Sequence, residues 1–448
     1  MKQRILLAAA ALALAAAPTA HAATWKQVTS SGGASIDQVG LLRTGDGVLH
    51  VVWHRRTGPS TEDLLHTAIT ADGKVGATAT IAPGWATLEN AALTSAPGGI
   101  RAFWGGIRTI NPDETNDEMN TALSTDGGAT WALQTGSVVP LGGQSYGSPV
   151  SATTRPDGTP VITWAGTLGT WVHAGLSPAA PNADYQAPLG HYGYDPGIAS
   201  DAGGTMIAWY SNATGHLGAY VQGVNADGTP IGTAMQMPGT ANMNVGMLGR
   251  TPIVARAGGG FYVAYPIGYP SLSSVRVWKV GSPKTTLIAK TSGDSLAALA
   301  ADPSGRLWVA WRDGKDVYAS RSNKSATEWG ATVAAGGPKG ASSIYKLDAG
   351  ATAAGVDLFG NFALGADPTS ATYYTRIRPG LTLTAKRSSK GVTMTVTDAG
   401  SPVKGAKVRA HGKTVTSDAK GRATLSIKGR TTVTATAKGY ETATLKVK

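Results

Sequence analysis

Six times along this 448-residue chain, a glycine is followed six residues later by a bulky aromatic that closes a short apolar run. The glycines are Gly47, Gly98, Gly158, Gly203, Gly259 and Gly305, and the aromatics are Trp53, Trp104, Trp164, Trp209, Tyr265 and Trp311. Successive anchors stand 51, 60, 45, 56 and 46 residues apart. A glycine turn leading into an apolar strand, once per roughly 40 to 50 residues, is the signature of β-propeller blades. A weaker seventh copy runs from Gly355 to Phe359, where the glycine offset breaks. The expected fold is therefore all-β: a β-propeller, with seven blades favoured over six, followed by a small β-sandwich.

Each unit reads as four strands, A to D. In the third, strand A covers about residues 148–154, Asp157-Gly158 turns, B covers 159–164 and C covers 170–175. Asp46-Gly47, Asp157-Gly158, Gly203-Gly204 and Gly258-Gly259 supply tight A–B hairpins. Asp72-Gly73, Asp126-Gly127 and Asp227-Gly228 fall where C turns into D. One face of the disc thus carries short turns. The other carries the B–C and D–A connections, read as longer loops at 54–63, 105–118, 142–148, 189–195, 210–216, 242–250 and 266–274. Longer loops on a rigid scaffold are where binding and catalysis concentrate, so this is the candidate functional face. Residues 24–29 are expected to pair with the last blade and close the ring, which removes two sheet edges.

Residues 1–22 read as a signal peptide: Lys2 and Arg4 precede an apolar run over 5–17, and Ala20-His21-Ala22 fits a small-x-small cleavage site. That run is short for a membrane span, and no later stretch reaches roughly 18 apolar residues. A secreted, extracellular protein without a membrane span is expected, monomeric and in non-covalent association with the cell wall. The chain has no cysteine, which excludes disulfides, thiolate metal sites and cysteine nucleophiles. No cofactor and no metal are expected. The formal charge of +12 is unevenly placed: residues 24–379 sum to −1 and residues 380–448 to +11. The near-neutral propeller gives no electrostatic reason to bind nucleic acid.

Ser124-Thr125-Asp126-Gly127-Gly128-Ala129-Thr130-Trp131 matches the pattern Ser/Thr-x-Asp-x-Gly-x-Thr-Trp. This resembles the Asp-box (BNR) repeat of the sialidase-like propeller superfamily. The resemblance implies that Ser124, Asp126, Gly128, Thr130 and Trp131 build a structural C–D turn, opposite the active face. Residues 321–329 resemble a decayed copy, with Lys324 in the aspartate position. Catalytic members clamp a substrate carboxylate with three arginines and use a tyrosine nucleophile paired with glutamate, plus an aspartate acid/base. Guanidinium forks suit that clamp through bidentate hydrogen bonds. The family's early Phe/Tyr-Arg-Ile-Pro segment is absent here. The resemblance therefore covers the architecture and leaves catalysis open.

The candidate ligand-binding residues on the loop face are His54, Arg55, Arg56, Arg108, Tyr146, Tyr192, Tyr194, Tyr210, Arg250, Tyr269, Arg312 and Asp313. Aromatic rings stack on sugar faces while Arg, His and Asn bond hydroxyls, although inter-blade packing absorbs many propeller aromatics. Trp85 belongs to the same set of loop aromatics, Tyr265 and Tyr269 lie on that face without an identifiable glutamate partner, and His191 and His216 are further loop histidines. The run Asp113, Glu114, Asp117 and Glu118 is either an acid/base or cation-binding cluster or a solvated acidic loop. No serine stands in a nucleophile-elbow pattern.

After Pro379 the glycine–tryptophan units give way to a Thr-, Lys- and Val-rich run with short alternating strands. The expected domains are thus 23–379 and 380–448. Gly400-Ser401-Pro402-Val403-Lys404-Gly405-Ala406-Lys407-Val408, Thr416 to Leu425 and Gly439-Tyr440-Glu441 resemble the carboxypeptidase regulatory-like (transthyretin-like) sandwich family. Members are accessory modules without catalytic residues. The excess of positive charge suits an anionic wall polymer, or simply solvation. Two function classes follow. One is recognition of a glycan or another cell-surface ligand through the loop-rich face. The alternative is an exo-glycosidase, sialidase-like or a related carbohydrate-active enzyme, with a divergent Arg/carboxylate site.

Overall fold

A computed structural model describes residues 23–29, 38–108, 118–134, 136–139, 147–166, 169–184, 193–242, 249–268, 273–293, 295–365, 370–388, 391–427 and 429–447. The expected signal peptide lies outside the described residues. Among them no helix is long and apolar enough to cross a membrane. The chain is all-β, and its four-stranded antiparallel sheets are consistent with a propeller.

The sheets are built consecutively. The first runs Gly40–Arg43, Leu49–Gly58, Thr61–Ile69 and Val75–Trp85, each strand paired with the next. Five more repeat that order, their A strands being Ala92–Ala96, Gly147–Thr154, Gly193–Asp201, Ile253–Ala255 and Ala297–Ala301. A further sheet takes Ala341–Thr352, Gly355–Leu364 and Ser370–Ile377, and its fourth strand is Lys26–Gln27 from the other end of the chain. Lys26 pairs with Tyr374 and Gln27 with Tyr373, while the Val28 amide donates to the Thr372 carbonyl at 2.9 Å. The A strands contact one another in chain order, and Ala341–Thr352 returns to Gly40–Arg43. Where these inner strands meet there is no room for a side chain. A Cβ on Gly197 would overlap the Thr251 carbonyl, and one on Gly40 would lie against that of Ala91.

The recurring glycine and aromatic have separate physical jobs. Gly47, Gly98, Gly158, Gly259 and Gly305 hold left-handed φ values of 76° to 95° at the A–B turns, a region that costs other residues strain. In the fourth sheet that conformation passes to Gly204, with φ 138°. The aromatics, on strand B, are all at most 4% exposed. Each fills the seam between its own sheet and the preceding one. Trp104 packs with Val52, Leu64 and Trp85 of the first sheet, Trp164 with Phe103 and Met119, and Trp209 with Val161 and Val172. Tyr265 and Trp311 repeat the arrangement, and Trp53 meets Phe359 and Tyr374 across the closing seam. In the Gly355–Leu364 strand the ring facing the preceding sheet is Phe362, one position beyond the repeat's offset, beside Trp308. Phe359 faces the other way, into the closing seam.

The Asp-box occupies the C–D turn after Glu118–Ser124, as its resemblance implies. Asp126 accepts the Thr130 amide and hydroxyl at 2.9 and 2.6 Å and the Ser124 hydroxyl at 2.8 Å, and these bonds hold its carboxyl below the usual range. Ser124 Oγ accepts the Gly128 amide, and the Trp131 indole donates to the Gly128 carbonyl at 3.1 Å.

Beyond Leu381 two sheets face each other across one core. Thr382–Ser388, Gly391–Asp398, Ser401–Pro402 and Arg422–Leu425 form the first, and Lys413–Thr416, Lys407–Ala410, Thr431–Thr436 and Ala443–Val447 the second. Val392, Met394, Val408, Leu425 and Val433 fill the space between them, in a cluster to which no residue before Leu381 contributes. At one end this unit meets the preceding sheets. Gly380 bridges to Ala331 and Glu441, and buried Asp398 accepts from Arg321 at 2.5 Å and pairs with Arg306 at 3.3 Å.

Candidate functional site

Two places on the B–C and D–A face hold predicted residues, the first of them Arg250 alone. The first is the axis. Gln38 to Leu41, Ala92, Leu93, Ser151, Gly197, Arg250 to Ile253, Ala298, Leu299 and Leu347 to Ala349 enclose a cavity of about 200 Å³, drawn from all the inner strands. Half-buried Arg250 spends its guanidinium on backbone carbonyls. It donates to Val150 at 2.7 Å, Val39 at 2.8 Å, Ala91 at 2.6 Å and Asn90 at 3.4 Å. Its own amide donates to Gln38 Oε1 at 2.8 Å, and Gln38 Nε2 donates to Asp348 at 2.8 Å. Burial pushes Asp348 up to about 6, against the pull of Arg250 and Gln38, and lowers Arg250 to about 10. Arg250 thereby ties four sheets together at the axis.

The second group lies at the corner between the first two sheets. The segment 54–63, expected as a loop, is instead a hairpin whose register shifts at Thr57: His54 pairs with Leu64, Arg55 with Asp63, Arg56 with Glu62 and Gly58 with Thr61. Val and Trp on alternate positions carry the strand pattern through His54, so only Pro59 and Ser60 are left to turn. The hairpin places His54 Nδ1 3.2 Å from Glu62 Oε2, both buried, with the Leu88 amide donating to the same oxygen at 2.8 Å. Burial alone raises the Glu62 carboxyl, but His54, the Leu88 amide and Arg56 outweigh it and hold it below its ordinary value. Arg56 Nε stands 3.7 Å from Glu62, and Arg55 pairs with Asp63 at 3.2 Å. Both arginine side chains stay over 40% exposed. Exposed Arg108 lies over the Trp85 ring at 5.4 Å, and Trp85 meets Trp104 edge-on at 5.8 Å.

The remaining candidates are dispersed. Tyr194 is 38% exposed and leans on buried Tyr210, with centroids 6.4 Å apart. Arg312 is buried and donates to the Ile344 carbonyl, and Asp313 accepts the Ser292 amide and hydroxyl at 3.1 and 2.8 Å. Tyr265 is buried and donates to the Pro238 carbonyl at 3.0 Å, with burial raising its hydroxyl above the usual range. Tyr146, Tyr192, Tyr269, His191, Asp113, Glu114 and Asp117 lie outside the described residues. Among the described residues no group of three or more His, Asp or Glu is placed to hold a metal ion.

Sequence reasoning missed Glu62, Gln38 and Asp348. Glu62 carried no readable signal, since a two-residue turn at Pro59-Ser60 would set it across from Thr57, and the shift in register at Thr57 brings it to Arg56 instead. Gln38 and Asp348 carried none, because 310 residues separate them.

No family model matches the chain, and no curated protein matches it. Solved structures similar to it include an α-L-arabinanase from Penicillium chrysogenum complexed with arabinobiose. That likeness has 11% identity, a TM-score of 0.43, and covers 76% of this chain and 92% of the other. The polysaccharide lyase Uly1 aligns at 11% identity and a TM-score of 0.47, over 77% and 90% of the two chains. A GH43_1 enzyme from Xanthomonas citri aligns at 9% and 0.34, over 85% and 92%. These likenesses are remote.

Proposed function

We propose that this is an exported recognition protein, a seven-bladed sialidase-like propeller with a C-terminal regulatory-like sandwich, that binds a glycan or another hydroxylated cell-surface ligand. The ligand lies across the B–C and D–A face, along the rim that runs from Arg108 and Arg56, over the His54–Glu62 pair, to Arg55 on the opposite face of the hairpin. Three guanidiniums with free donors bond ring hydroxyls or an acidic substituent, and Tyr194 offers a second, aromatic contact on the same face.

One observation carries this reading: the ionisable groups lining the axial cavity are spent within the fold. Arg250 is taken by four backbone carbonyls, and Asp348 accepts from Gln38. Glycoside cleavage asks for two positioned carboxylates about 5 to 10 Å apart, and among the described residues the axial cavity is lined by one, Asp348. Recognition at the rim therefore fits better than hydrolysis at the centre.

A glycan array read beside a fluorogenic glycoside panel tests this. Binding without turnover is expected, and Arg55→Ala with Arg56→Ala and Arg108→Ala should weaken it by about tenfold or more, near 1.4 kcal/mol. Turnover that survives the triple substitution and vanishes with Asp348→Asn would move the chemistry to the axis.

A further inference from the structure

On the C-terminal unit, the strands of the second sheet carry cations and hydroxyls and no carboxylate. Residues 380–448 hold three carboxylates among fourteen Lys and Arg. Asp398 is buried against Arg321 and Arg306 at the junction, and Glu441 accepts the Arg378 amide there. Asp418 closes a tight turn, accepting the Lys420 and Arg422 amides at 2.8 Å. None reaches the outer face of the second sheet.

That face is ordered by register. Val408, Val433, Ala435 and Leu445 point into the core, so the alternate residues point out. Arg409 stands between Thr414 and Thr434, and Lys407 between Thr416 and Thr436. Lys446 stands beside Thr432 one row farther along. Rows are about 7 Å apart along the strands and strands about 5 Å apart. The strip leads into a cleft of about 470 Å³ lined by His411, Arg430, Thr431, Thr432, Lys446 and Val447. Exposed His411, Arg430 and Lys446 thus meet threonine hydroxyls in one concavity.

We infer that this strip and cleft bind a linear hydroxylated polymer bearing tetrahedral anions, phosphate or sulfate. Arg and Lys neutralise the anions, Thr hydroxyls donate to their free oxygens, and the flat β surface accepts an extended chain. The cleft seats one anion from more than one side, which a planar surface does not. None of the residues of this strip and cleft belongs to the propeller face.

The test uses the full-length protein in about 0.15 M salt, where screening over roughly 8 Å suppresses diffuse attraction. Polyglycerol phosphate, heparin, polygalacturonate and duplex DNA of matched length are titrated. Polyglycerol phosphate or heparin should bind best, and which of the two leads identifies the anion. Arg409→Ala with Arg430→Ala and Lys446→Ala should weaken that binding at least tenfold at unchanged melting temperature. Lys386→Ala with Lys420→Ala and Lys438→Ala removes equal charge outside the strip and should cost less than twofold. Equal losses in the two triple variants would reduce the effect to net charge and overturn the site. So would binding to polygalacturonate or DNA as tight as to the better of the other two.

Discussion

At the scale of single residues, one pH-sensitive pair lies away from the candidate site. His50 and His66 are buried and stacked, with His50 Nδ1 3.0 Å from His66 Nε2. His66 Nδ1 lies 3.1 Å from the Gly128 carbonyl, to which it donates, so its Nε2 accepts from His50. Burial and the neighbouring imidazole lower His66 to about 4 from an ordinary value near 6.5. The folded state therefore binds fewer protons than the unfolded state between these values. Stability is complete above about pH 6.5, falls as pH drops towards 4, and levels off below it. The loss attributable to His66 is about 3 kcal/mol. His66→Gln keeps a donor without the titration, and urea midpoints from pH 7 to 4 should fall less steeply for it than for the wild type. Parallel slopes would place the acid sensitivity elsewhere. The pair also binds the first sheet to the Asp-box, since a Cβ on Gly128 would overlap the His66 ring.

At the scale of elements, the seams between sheets carry the fold. Trp164 is fully buried between the second and third sheets. Trp164→Ala should cost about 3 to 5 kcal/mol through lost burial and the cavity left behind. Trp164→Phe should cost clearly less, as chemical denaturation will show. The glycine turns and B-strand aromatics were legible because one blade is a local unit whose pattern survives in forty to fifty residues of sequence. Phe362 was not, because the repeat's offset slips by one there and only the packed seam distinguishes it from Phe359. The 54–63 hairpin was misread as a loop because its polar residues mark exposure, and strand pairing continues beneath them. The axial set was illegible for a different reason: Arg250 reaches Val39 across 211 positions, a contact that exists only once the ring has closed.

At the scale of the molecule, the C-terminal unit is fastened by one buried charge cluster. Asp398 faces Arg321 and Arg306, and Tyr440 donates to it at 3.3 Å while Arg321 also lies over Trp308 and Tyr440. Asp398→Ala leaves two cations facing each other without a counter-charge, a change worth about 3 to 5 kcal/mol in buried sites. Limited proteolysis should then cut near residues 378–381 well before it cuts the wild type. Unchanged resistance would mean that the Gly380 bridges alone hold the junction. This fastening lies at the end of the unit away from the basic cleft, so the arginine corner and the polyanion strip are distinct surfaces on one chain.

A paired titration separates the two surfaces. Wild type, the Arg55/Arg56/Arg108 alanine variant and the Arg409/Arg430/Lys446 alanine variant are each titrated with the best array glycan and the best polyanion. The first variant should lose the glycan and keep the polyanion, and the second should do the reverse, each loss about tenfold or more. Both ligands weakening together in either variant would contradict two independent sites.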